Sequence, residues 1–445
     1  MRRVADLAVK TVLTDSLKPY AGNARAHNKK QVSQIARSIK VYGWTVPILV
    51  DADRTVIAGH GRLEAAKSLG LDEVPIITID DLTPEQVKAL RLADNKIAEN
   101  ARWDEDLLKV EIDTLIGAEL DFEITDTGFE MAELDVILAD PDPEPDTGDL
   151  ADQDIAGPQV AAPGDLFACG RHFIMCADAR DQNAYGRLLG NDKARAIITD
   201  PPYNVPIGGH VSSTGRHGEF AMASGEMSDE AYRAFLGETL APLADHGMAG
   251  ALVYLFIDWR HVGAMIAAGE GAFGPLFNLC VWDKGTGAMG SLYRSAHELA
   301  CVFKNGRGRH LDNVQLGRHG RNRTNVWRYR GLASFGKGRS EALSMHPTVK
   351  PVAMIADAIL DCTNRSDIVL DPFAGSGTAL IAAERTGRCA RVMEIDPAFV
   401  DVALRRYRRA TGDEPLHVAS GKPLSDLEAN TGAAQRPRSD EEYLS

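Results

Sequence analysis

Ala196-Ile197-Ile198-Thr199-Asp200-Pro201-Pro202-Tyr203 decides how this chain is read. The first four residues form a short apolar, β-branched run, the pattern of a buried parallel strand. The next four put a carboxylate, two rigid prolines and an aromatic ring where that strand ends. The prolines fix φ and remove two backbone donors, so neither a helix nor a ladder continues. In open α/β sheets, ligands bind outside the carboxyl ends of the strands. An acceptor-only carboxylate, a loop carbonyl and a stacking ring can together grip a flat heterocycle by its amino group.

A second strand end repeats the arrangement. Ile368-Val369-Leu370 runs into Asp371-Pro372-Phe373-Ala374-Gly375-Ser376-Gly377-Thr378 and then into the helical stretch Ala379–Glu384. Glycines at such a turn let backbone approach a ligand closely. No Lys-Ser/Thr follows the last glycine, and the glycine spacing does not match a dinucleotide turn. Arg391-Val392-Met393-Glu394-Ile395-Asp396 reads as the next strand, with an acid at its end. Strands are also expected at Arg171–Asp178 (with a hairpin), Val253–Ile257 and Phe277–Trp282, and a helix from Val352 to about Leu360. Alternating strands and helices predict a doubly wound α/β sheet.

The order of these motifs, with His346-Pro347-Thr348-Val349-Lys350-Pro351 ahead of the Gly-rich loop, resembles the β-group of site-specific DNA amino-methyltransferases. The resemblance spans about Gly164 to Arg409. It implies a Rossmann-like methyltransferase fold with S-adenosylmethionine as cofactor and double-stranded DNA as partner. Asp200, Pro201, Pro202 and Tyr203 would be catalytic, acting on an exocyclic amino group of a base flipped from the helix. The resemblance assigns Asp371, Phe373, Gly375 and Gly377 to the cofactor loop, Glu394 to the ribose and Asp178 to the adenine. Thr348 and Lys350 are expected at the methionine carboxylate. His297-Glu298 resembles a family signature with no assigned role. An aspartate opening the tetrapeptide leans towards adenine N6; cytosine N4 is the alternative. A DNA-binding factor with a vestigial methyltransferase domain is the alternative of another class.

Charge is segregated. The net charge is −14, yet Glu99–Asp154 holds 20 acidic residues against Arg102 and Lys109. Ser291–Ser340 instead holds 11 Lys or Arg and two acids, with Trp327 and Tyr329 interleaved. That is the footprint expected for phosphates. A recognition region over about 284–345 follows, with Arg294, Arg318, Arg321, Arg323, Arg328 and Arg330 expected to face DNA.

Near the N-terminus, Gln31–Ile39 has helical spacing, and Pro47–Val50 and Thr55–Ala58 read as a hairpin. Gly59-His60-Gly61-Arg62 opens a helix to Leu69, and Val74–Ile79 is a further strand. Together with Asn23-Ala24-Arg25 this region resembles the N-terminal domain of ParB-type proteins, a small α/β fold shared with sulfiredoxin. In that family the turn and its arginine, here Arg62, sit near nucleotide phosphates. The resemblance leaves room for CTP or ATP and for a homodimer. His60-Gly61 replaces the family's usual Glu-Arg, which favours a docking or DNA-contacting role over a nucleotide switch.

The expected organisation is a ParB-like domain over 1–80, an acidic helical extension over 81–139 opened by Thr83-Pro84, and an acidic Pro-rich linker over 140–156. A methyltransferase domain follows over 157–412, then a disordered tail over 413–445. The six scattered cysteines form no C-x-x-C pair, so buried reduced thiols are expected, and no metal site. No apolar run has membrane length and no signal-peptide core is seen, so a cytoplasmic protein is expected.

Overall fold

The computed structural model describes residues 7–118, 120–139, 157–205, 225–285, 292–318, 320–330 and 349–434. The expected acidic linker and Thr348 lie outside them. The chain divides into two compact units, Met1–Ala139 and Asp140–Ser445.

The first unit carries strands β1 (Val9–Leu13), β2 (Ile48–Val50), β3 (Val56–Ala58) and β4 (Glu73–Thr78) in one sheet ordered β1-β4-β2-β3. Its helices are α1 (Lys29–Tyr42), α2 (His60–Leu69), α3 (Pro84–Glu99), α4 (Glu105–Ile116) and α5 (Met131–Leu138). Asn28 caps α1 by accepting from the Gln31 N–H. Thr83 and Gln86 form a capping box on α3, with proline at its first position, as such residues favour. The α2 helix starts after Gly59 at φ 100° and ends at Gly70 at φ 68°, conformations that glycine adopts without penalty. Leu17, Ile48, Val50, Val56, Leu63 and Ile76 fill the core. Residues 124–130 are tied to α1 by Arg37–Asp126 at 3.4 Å and Lys30–Glu130 at 2.5 Å.

Among its described residues the second unit holds ten strands: β5 (Leu166–Cys169), β6 (His172–Cys176), β7 (Ala194–Thr199), β8 (Gly247–Ile257), β9 (Asn278–Asp283), β10 (His297–Lys304), β11 (Val326–Arg328), β12 (Ile368–Asp371), β13 (Cys389–Glu394) and β14 (Leu416–His417). Its helices are α6 (Gln182–Leu189), α7 (Asp229–His246), α8 (Val262–Phe273), α9 (Val352–Cys362), α10 (Thr378–Thr386), α11 (Pro397–Thr411) and α12 (Leu424–Ala434). The sheet order is β11-β9-β10-β8-β7-β12-β13-β6-β5-β14. β6, β13, β12, β7 and β8 run parallel, and β10 enters antiparallel between β8 and β9. Successive residues of β7 feed opposite faces. Ala196 and Ile198 pack with Met354, Ile355 and Leu380, whereas Ile197 packs with Tyr185, Leu236 and Met265. Both faces are covered, as a near-continuous apolar strand requires.

Chain order reverses between β7 and β12. From β7 the chain proceeds outward to β8, and the later β12 and β13 lie on the other side. This is the topological switch point at which such sheets bind ligands.

Two expectations are corrected. The segment from 413 is not structureless among its described residues: β14 pairs antiparallel with β5, and Leu424 is fully buried. Glu428 on α12 pairs with Arg405 at 2.6 Å and Arg408 at 3.0 Å. A two-residue strand has no readable periodicity, yet it covers the open edge of β5. Trp327 is also not a nucleic-acid-facing ring. It is 4% exposed and packs on Tyr254 and Phe256, because β11 joins the sheet parallel to β9.

Candidate active site

The carboxyl ends of β7, β12 and β13 carry Asp200, Asp371 and Glu394, and Asp178 follows the end of neighbouring β6. Four acids therefore line one edge of the sheet across the switch point. Thr199 donates to Asp371 Oδ1 at 2.7 Å, which ties the two central strand ends together.

Asp200 stands in a closed polar network. The Tyr203 hydroxyl donates to Asp200 Oδ1 and lies 3.3 Å from Glu298 Oε2. Lys350 Nζ donates to Asp200 Oδ2 at 2.5 Å and to the Tyr203 hydroxyl at 3.2 Å, and pairs with Glu298 Oε2 at 3.1 Å. Glu298 Oε1 accepts from Lys284. Burial pushes the Asp200 carboxyl above its ordinary value; Lys350 pulls it down and Glu298 pushes it up. Burial would raise Glu298 too, but Lys350 and Lys284 hold it at about 2.

The loop itself is braced. The Tyr232 hydroxyl donates to the Pro202 carbonyl at 3.1 Å. Asn204 adopts φ 56°, a region asparagine tolerates better than most residues. Its side chain accepts from the Gly225 and Met227 N–H groups and donates to the Met227 carbonyl at 2.8 Å. Asn204 thus fastens the Asp200–Tyr203 loop to the segment entering α7. Sequence reasoning missed it, although an asparagine directly after a Pro-Pro-aromatic turn was the available signal.

The Gly-rich loop is built for close approach. Gly375 and Gly377 have φ 51° and 84°. A Cβ at Gly377 would stand 2.8 Å from that of Ala403. Phe373 N–H donates to Asp371 Oδ1 at 3.0 Å. Burial pushes the Asp371 carboxyl up to about 7, against the hydrogen bonds from Thr199 and Phe373. Glu394 accepts from Gly375 N–H at 2.8 Å and Asp396 N–H at 2.9 Å, and burial raises it as well. Asp178 pairs with Arg180 at 2.7 Å; that pair holds its carboxyl below the ordinary value.

Three sequence expectations change. The sequence places Lys350 at the methionine carboxylate. Lys350 is 5% exposed and points at Asp200 and Glu298, because the Val349-Lys350-Pro351 approach to α9 crosses the ends of β7 and β10. Arg321 and Arg323 are not free for DNA. Arg321 pairs with Asp357 and Asp361 at 3.3 and 2.6 Å, and Arg323 pairs with both at 3.1 Å. Asp357 and Asp361 are four apart on α9 and share one face, which draws in both guanidinium groups. Arg294, Arg318, Arg328 and Arg330 are exposed. In the first unit, Arg62 lines a cavity of about 390 Å³ with Gln34, Trp44 and Gly128.

The DNA methylase family model matches residues 194–405. The ParB N-terminal domain model matches residues 2–96, and the ParB-methyltransferase HTH domain model matches 106–163. The part of the acidic helical stretch from residue 106 onward thus falls in a segment similar to a helix-turn-helix domain. Among curated proteins, the ParB-like nuclease domain-containing protein YnaK of Escherichia coli is 53% identical over 70 residues, covering 16% of this chain and 80% of YnaK. The type II methyltransferase M.HpaI of Haemophilus parainfluenzae is 27% identical over 225 residues, covering 47% of this chain and 67% of that protein. YubD of Escherichia coli, described as a methylase, is 30% identical over 196 residues, covering 43% of this chain and 72% of YubD. With the strand-end acids in place at the switch point, these matches settle the family: the chain belongs to the N-4/N-6 DNA methylases and carries a ParB N-terminal domain ahead of the methylase.

Proposed function

We propose that this protein transfers the methyl group of S-adenosylmethionine to N6 of adenine in double-stranded DNA, site-specifically and after the base is flipped out. The observation that carries the reading is the juxtaposition of Asp200 and Asp371 on adjacent strand ends, joined through Thr199.

The residues at the ends of β6, β12 and β13 fit the cofactor. They bear carboxyl groups, acceptor-only when ionised, beside a turn held open by two glycines at positive φ. Acidic acceptors suit a ligand bearing an ammonium, a sulfonium and a ribose diol. Asp371 and the 373–377 loop would hold the amino-acid end, Glu394 the ribose and Asp178 the adenine. When bound, S-adenosylmethionine supplies an electrophilic methyl group.

The chain's own part is to make a poor nucleophile reactive. The target amino lone pair is delocalised into the base ring. Asp200 and the Pro201 carbonyl accept from its two N–H groups, which localises the lone pair and aims it. Flipping costs a few kcal/mol, and the Tyr203 ring returns part of that by stacking. Positioning and electrostatic preorganisation then lower the barrier. Adenine is favoured over cytosine because the tetrapeptide opens with aspartate rather than serine. The exposed Arg294, Arg318, Arg328 and Arg330 face DNA, and the ParB-like unit docks on DNA and adds affinity or specificity.

The test is incorporation of tritiated methyl groups into DNA. The full-length protein incorporates label, and Asp200→Ala abolishes it while keeping cofactor affinity within a few-fold. A variant with near-normal turnover overturns the catalytic assignment.

A further inference from the structure

The Lys350 ammonium makes three contacts, to Asp200 Oδ2, Glu298 Oε2 and the Tyr203 hydroxyl. An ammonium has three N–H donors, so these acceptors satisfy it completely. It also lies 5.6, 5.2 and 5.8 Å from the ring centroids of Tyr203, Phe256 and Trp282, faces that attract a cation. Such a cage holds a charged lysine at one point. Two carboxylates share it: Asp200, the group proposed to meet the base, and Glu298, which also accepts from Lys284.

We propose that Lys350 is a positioning residue that supplies the counter-charge for Asp200, and that Glu298, anchored by Lys284, shares the Lys350 ammonium so that the carboxylate can still accept from a base amino group. The proposal rests on the methyl-transfer reading of Asp200. It gives Glu298 opposite effects on charge and on geometry. Lys284 balances Glu298, so Lys350 is the cation directly paired with Asp200. The other ionisable groups acting on Asp200 or on the Tyr203 hydroxyl beside it are acids or phenols: Asp371 at the end of β12, Tyr232 on α7 and Asp258 after β8.

Removing Lys350 leaves Asp200 without an opposing charge, and its protonated form gains. Removing the Glu298 charge does the reverse: Lys350 turns wholly to Asp200, which stays ionised to lower pH but is less available to the base. The acid limb of kcat/KM against pH therefore moves up in Lys350→Met by about one unit or more, roughly a tenfold loss per unit at a pH below the limb. It returns towards the wild-type position in Lys350→Arg. In Glu298→Gln it moves down while kcat falls about tenfold, because the base amino group now competes with Lys350 for the carboxylate.

The same displacements are read without catalysis from the Asp200 carboxyl carbon, by NMR titration of aspartate-labelled protein free of DNA and cofactor, with the signal assigned by its absence in Asp200→Asn. If methyl transfer is absent in the wild type, this titration still tests the charge assignment. Opposite shifts in Lys350→Met and Glu298→Gln support the proposal. Uniform losses with an unmoved limb, or shifts of the same sign, overturn it. Should Lys350→Met fail to fold, the downward shift in Glu298→Gln alone decides, since the amide keeps the shape of the side chain.

Discussion

Arg323→Ala separates arginines that hold the fold from those proposed to face DNA. Arg323 donates from Nε to Asp361 at 3.1 Å, from one terminal nitrogen to Asp357 at 3.1 Å and to the Tyr329 hydroxyl at 2.6 Å. Its guanidinium carbon lies 5.5 Å from the Trp327 ring centroid, and its side chain is 17% exposed. Truncation leaves Asp361, itself 11% exposed, with Arg321 as its remaining ion pair among the described residues. Breaking a buried pair from one side costs about 3–5 kcal/mol. Asp357 is 33% exposed and water can recover part of that loss, so about 3 kcal/mol is expected. In a unit of this size that lowers Tm by about 6–12 °C. Thermal melting of the full-length variant reads it, while the salt slope of DNA binding measured well below the melt should stay within error of wild type. A variant that melts like wild type and loses about one unit of salt slope would make Arg323 a phosphate contact and refute the reasoning.

Arg328→Ala and Arg330→Ala should show the converse, an unchanged Tm with salt slopes flattened by about one unit per phosphate contact; unchanged slopes in both, measured by fluorescence anisotropy, would take β11 off the interface. Asp371 should make cofactor affinity depend on pH. Its protonated form carries no charge for the ligand's ammonium, so affinity measured by calorimetry should fall as pH drops through about 7, and Asp371→Asn should be weaker and flat over that range. Glu394→Ala should weaken cofactor binding with little effect on DNA affinity, and unchanged calorimetric affinity would remove Glu394 from the ribose. A chain starting at Gly157 should fold and keep cofactor binding, because Val160 and Ala161 N–H already bond Asp401 within the second unit; its DNA affinity should fall, and undiminished affinity would deny the ParB-like unit a docking role.

The strand ends were legible because each follows a short apolar run and each bears an acid. Asp200, Asp371 and Glu394 fall where those runs stop, and the sheet brings them side by side. What crosses between elements was not legible. Lys350 meets Asp200 across 150 residues of sequence, and no periodicity encodes that contact. Arg321 and Arg323 read as surface charge because a dense basic run with interleaved aromatics carries no trace of partners elsewhere in the chain. The signal against it was Asp357 and Asp361 at helical spacing on the otherwise apolar α9. β1 escaped notice because it is a mostly exposed edge strand, and Lys10 and Thr11 break its apolar pattern. β14 escaped because two residues carry no pattern; its place is set by the open edge of β5 that it covers.

The central claim is tested most directly by nucleoside mass spectrometry of double-stranded DNA incubated with the full-length protein and S-adenosylmethionine. The account predicts N6-methyladenine with the wild type and none with Asp200→Ala. N4-methylcytosine in its place would contradict the assignment of the base, and equal methylation by the Asp200→Ala variant would contradict the assignment of the site.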